Sequence, residues 1–78
     1  MLKQYDLVDK NLHSIISKCF INSRRPGFSE IFVIYTDGDR EKIWTYNNLR
    51  YDFDHRDFIG KTKLEAVFYC DRKKPMVF

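Results

Sequence analysis

The stretch from Ser29 to His55 limits what this chain can fold into more than any other. It reads SEIFVIYT, DGD, REKIWTY, NN and LRYDFDH, and it contains Trp44, the only tryptophan. From Glu30 to Thr36 runs a stretch that is, after its first residue, β-branched or aromatic throughout, types that pack well on a pleated surface. Asp37-Gly38-Asp39 and Asn47-Asn48 are turn signals, because Gly, Asp and Asn enter the left-handed region readily. A loop at Asp37-Gly38 pairs Ile34 with Glu41. A loop at Gly38-Asp39 pairs Ile34 with Ile43 and Val33 with Trp44, and apolar matching favours this second register. From Leu49 to Arg56 the chain alternates, with Leu49, Tyr51 and Phe53 on one side and Arg50, Asp52 and Asp54 on the other. That is the period of a half-buried edge strand.

These signals predict a three-stranded antiparallel meander with strands at 29–36, 41–46 and 49–55. One face collects Ile31, Val33, Tyr35, Trp44, Tyr46, Leu49, Tyr51 and Phe53 and reads as the core face. The opposite face collects Phe32, Ile34, Ile43 and Thr45, with Glu41, Arg50 and Asp52 at its margin.

Helical patterns flank the sheet. Tyr5, Val8, Leu12, Ile15, Ile16 and Cys19 recur at helical spacing and predict a helix over 5–20. Asn22 to Gly27 (NSRRPG) interrupts it, since Pro26 cannot continue a helix and Gly27 permits a sharp turn. Thr62-Lys63-Leu64-Glu65 is a capping box that opens a second helix over 63–73, stopping before Pro75. The fold class is therefore α+β, ordered α-β-β-β-α. Short connections and the richer core face place both helices on the Trp44 face. Were they on opposite faces, Phe32 and Ile34 would be core.

A length of 78 residues fits one domain. The formal net charge is +3 and the pI is about 9.0, a mild lean toward anionic partners. The cations available for phosphate or other anion contact are Arg24 and Arg25 in the loop, Lys61 and Lys63 at the entry to the second helix, and Lys73 and Lys74 at its exit. The basic run at the exit also has a structural reason, the negative end of the helix dipole. No apolar run approaches 18 residues and no signal-peptide pattern opens the chain, so the expectation is a soluble protein of the cytoplasm with no membrane contact. One alanine against abundant Lys, Asn, Asp, Ile, Phe and Tyr is the usage of an AT-rich genome. Phages and mobile elements carry such genomes, and a product of one would act in host cytoplasm.

No catalytic or metal signature stands out. Asp52, Asp54, His55 and Asp57 crowd together, but a strand would turn His55 away from Asp52 and Asp54, which reads as a charged edge. Cys19, Cys70, His13 and His55 lack the spacing of a zinc site. The two cysteines read as reduced, buried side chains. Three glycines make no phosphate loop. No cofactor or metal is expected.

The predicted element order and the Lys-rich entry Gly60-Lys61-Thr62-Lys63 resemble, in topology alone, double-stranded-RNA-binding domains. The resemblance covers most of the chain in order and almost none of its residues. It implies an RNA- or DNA-binding domain using the six cations named above. The leading expectation differs. It is a small non-enzymatic protein-binding module, an inhibitor or regulator of the phage type that occludes a host macromolecule. It would dock on a protein partner, or on a second copy as a homodimer, through Phe32, Ile34, Ile43, Thr45 and Arg50. A small basic ribonuclease is the remaining enzyme reading.

Overall fold

The computed structural model describes residues 11–76, apart from the side chains of Arg24 and Arg25. Its order is β1 (Ile16–Arg25), β2 (Phe28–Tyr35), β3 (Arg40–Tyr46), a 3-10 turn at His55–Phe58 and α1 (Lys63–Asp71). The sheet is antiparallel and three-stranded, ordered β1-β2-β3. The α+β class and the antiparallel sheet agree with the sequence reading. The membership of the sheet does not.

The helix expected over 5–20 is corrected where it can be seen. Residues 11–13 form a turn and Ile16 to Phe20 lie in β1; residues 5–10 lie outside the described residues. The physical reason is a bulge. Ile16 pairs with Tyr35 and Lys18 with Ile34, so Ser17 is an extra residue on β1. Its hydroxyl donates to the Ile34 carbonyl at 3.1 Å. A bulge shifts the strand's phase by one, which turns Ile16 and Cys19, three residues apart, toward the same face. Both are buried. A spacing of three that reads as helical thus arises within a strand.

Pro26 and Gly27 then close a two-residue hairpin between Arg25 and Phe28. Proline fixes φ at the first corner and Gly27 supplies the left-handed second corner, φ +85°. The turn is fastened from outside. The Asn48 side chain accepts from the Gly27 N–H at 2.9 Å and donates to the Ser29 hydroxyl at 2.8 Å.

The strand expected over 49–55 is absent. Asn47 accepts from the Leu49 N–H through its side chain at 2.9 Å, and its carbonyl accepts from Arg50 and Tyr51, so the chain turns away from β3. Residues 51–54 have no sheet partner, and Asp54 caps the 3-10 turn by accepting from the Arg56 N–H. Local hydrogen bonds from Asx side chains have displaced the ladder that alternation alone suggests. Leu49, expected in the core, is 63% exposed, whereas Phe53 is buried.

Neither expected β2–β3 register is present. Ile34 pairs with Arg40, Val33 with Glu41 and Ile31 with Trp44. A bulge on β3 at Ile43 makes this possible, because Phe32 pairs with Lys42 immediately after the Ile31–Trp44 pair. It turns both Ile43 and Trp44 toward the core, where they pack against the buried cluster. Ile43 therefore leaves the outer face on which alternation had placed it.

The core gathers Ile16, Cys19, Ile31, Val33 and Tyr35 from the sheet with Phe53, Phe58, Ala66 and Cys70 from the segments that follow. Only one helix is described, so two helices sharing this face are not observed. α1 starts where expected. Thr62 accepts from the Glu65 N–H at 3.2 Å and Glu65 accepts from the Thr62 N–H at 2.9 Å, the reciprocal capping box. It ends at Asp71, two residues short of the expected 73. No helix among the described residues is long and apolar enough to cross a membrane.

Candidate functional site

The 3-10 turn, Phe53 and α1 all contribute to the core on one face of the sheet. Side chains of the other face lie in three rows set by the pairing registers. Lys18, Ile34 and Arg40 form one row; Phe20, Phe32 and Lys42 form the next; Asn22, Glu30 and Thr45 form the third. The centre is apolar, with Phe20 53% exposed and Phe32 and Ile34 half-buried. A groove of about 400 Å³ runs over it, lined by Phe20, Phe32, Ile34, Arg40, Glu41 and Lys42 among others. Cations stand at its margin. Lys42 also donates to Glu30 at 3.1 Å.

Three of the five residues expected on this face are here. Phe32 and Ile34 line the groove and Thr45 lies in the third row, exposed. Ile43 has turned to the core. Arg50 is exposed in the turn after β3 and its carbonyl accepts from the Met76 N–H. Phe20 was missed. The alternation Lys18, Phe20, Asn22 against Cys19, Ile21, Ser23 could have found it, had the helical spacing at Ile16 and Cys19 not prevailed.

The expected anion-binding cations do not come together as one group. Arg24 and Arg25 end β1 at the hairpin. Lys63 donates to Glu41 at 3.1 Å, and Glu41 also accepts from the Tyr35 hydroxyl at 2.7 Å. This chain of polar groups fastens the start of α1 to β3. Lys61 and Lys73 meet at Tyr69, their ammonium groups 4.9 and 5.3 Å from its ring centroid. Lys61 also donates to the Asp57 carbonyl. Lys74 is exposed beyond the helix.

The acidic cluster does not converge. Arg56 forks onto Asp54, donating from Nη2 to Oδ2 at 2.7 Å and from Nε to Oδ1 at 3.1 Å. Those hydrogen bonds hold the Asp54 carboxyl down to about 2. Asp57 accepts from the Tyr69 hydroxyl at 2.8 Å. Among the described residues, no three His, Cys, Asp or Glu side chains are grouped to hold a metal ion.

Cys19 and Cys70 are free and buried. Burial pushes their thiols up from 9.0 to about 11 and about 12, and for Cys70 the nearby Cys19 adds to the rise. Folded values above unfolded ones mean a contribution to stability that is intact below pH 9 and is lost as pH rises through 11 to 12. Unfolding free energy is thus expected to fall between pH 9 and pH 12. At pH 8 a chromogenic disulfide reagent should modify neither thiol until denaturant is added. Stoichiometric labelling of the folded protein within minutes would contradict this account of the core.

No protein-family model matches this chain, no curated protein matches it, and no solved structure matches it.

Proposed function

We propose that this protein is a non-enzymatic binding module whose outer sheet face docks an acidic protein surface. The observation that carries the reading is the pattern of the three rows, an apolar centre of Phe20, Phe32 and Ile34 with Lys18, Arg40 and Lys42 beside it. Apolar area supplies affinity, and the cations steer an acidic partner and set its register. A second copy is a poorer fit, because it would bring the same cations to the same boundary.

Nucleic acid is the weaker reading. Its cations are divided between the hairpin, the Lys63–Glu41 pair and the Tyr69 ring, where a duplex binder needs one continuous stripe. The α-β-β-β-α order that suggested it is also lost once residues 16–25 form a strand.

The test is a selection of random dodecapeptides displayed on phage against the folded protein, with Phe32→Glu as counter-selection. Enriched peptides are expected to place an aromatic or aliphatic residue among Asp and Glu, and their binding should weaken as salt rises. Enrichment that survives Phe32→Glu would overturn the reading. So would no enrichment at all, together with steeply salt-dependent binding of a labelled RNA duplex.

A further inference from the structure

A second cleft lies away from the outer sheet face, between β3, the segment after it and the carboxyl end of α1. Its volume is about 340 Å³, at the small end for ligand sites. Four aromatic residues line it, Trp44, Tyr46, Tyr51 and Phe53, with Asp71 and Lys73. Tyr46 and Phe53 meet edge to face, centroids 4.7 Å apart at 64°.

The electrostatics of the cleft favour positive charge. Asp71 is the last residue of α1, so its carboxylate adds to the negative end of the helix dipole. Asp52 is close enough to act on Tyr46, whose hydroxyl is raised first by burial and further by that carboxylate. The single cation in the lining is Lys73, and it is already held by rings. Its ammonium lies 5.3 Å from the centroids of both Phe53 and Tyr69 and donates to the Tyr69 hydroxyl at 3.3 Å. The molecule thus already places an ammonium against the aromatic wall of this cleft.

We infer that the cleft is a cation site, taking a methylated ammonium group on the faces of Trp44 and Tyr51 with Asp71 as counter-ion. Ring faces attract cations through their quadrupole, and methylation lowers the cost of removing the ammonium from water. Lys73 is then an internal competitor.

Trp44 reports directly, being the only tryptophan. Its fluorescence is followed during titration with tetramethylammonium, with ammonium and with the neutral isostere 3,3-dimethylbutanol. Tetramethylammonium is expected to give a saturable change, about tenfold tighter than ammonium, and the neutral isostere no saturable change. Tyr51→Ala should abolish the response. Lys73→Met, checked for folding by circular dichroism, should tighten binding severalfold by removing the competitor. No saturable change, equal binding of the neutral isostere, or weaker binding by Lys73→Met would each overturn the assignment.

Discussion

Replacing Phe58 with Ala is expected to remove a large share of the stability of the fold, about 3–5 kcal/mol. Phe58 is fully buried at the end of the 3-10 turn. Its ring meets Tyr69 at 5.4 Å and 85°, and Phe53 at 6.0 Å. It therefore joins the segment after the sheet to α1. Phenylalanine-to-alanine changes in cores cost about 3–5 kcal/mol. A chain of this length holds about 4–12 kcal/mol in total. Urea unfolding followed by circular dichroism measures the loss, and Phe58→Leu, which fills most of the volume, should recover most of it. A loss below about 1 kcal/mol for Phe58→Ala would mean that the turn does not anchor the core.

The second large effect separates two residues that alternation places on one face. Ile43→Glu is expected to destabilise the fold by about 2–3 kcal/mol, because the bulge turns residue 43 toward the core and a carboxylate there loses water without a partner. Phe32→Glu is expected to change stability by less than about 1 kcal/mol. Phe32 lies on the outer face, directly across from Lys42, so the new carboxylate gains an opposite charge as its cross-strand neighbour. Thermal or urea unfolding of the two variants gives the comparison. Equal destabilisation would contradict the bulge at Ile43 and the openness of the outer face together.

How much of this was legible depends on how local the signals were. The capping box at Thr62 and Glu65 is a contact between neighbours in sequence, and it placed the start of α1 correctly. β2 and β3 were found within a residue or two because β-branched and aromatic side chains crowd into them. Two of the errors share one cause. Bulges at Ser17 and Ile43 break the period of two on which any reading of alternation rests, and each is set by pairing with β2, which a local pattern does not contain. The first made β1 resemble a helix. The second moved Ile43 from the outer face to the core. The missing strand at 49–55 failed for another reason, since the side chains of Asn47 and Asp54 bind the backbone just ahead of them and turn the chain away.

Phe32, Ile34 and Thr45 were legible because β2, and β3 beyond its bulge, keep their alternation. Phe20 was hidden by the misread strand, and with it the aromatic pair that centres the face. The cations were visible as residues, but their partners were not. Nothing in the sequence says that Lys63 meets Glu41 or that Lys61 and Lys73 share the ring of Tyr69.

On the proposed reading the outer face binds an acidic partner while the opposite face holds the core. The most direct test is an amide chemical-shift map recorded while a selected acidic peptide is titrated into the ¹⁵N-labelled protein. Perturbations are expected to concentrate at Lys18, Phe20, Phe32, Ile34, Arg40 and Lys42, to be absent in Phe32→Glu and to be reduced by salt. Perturbations confined to Tyr69, Arg72, Lys73 and Lys74 would contradict it and place recognition on α1.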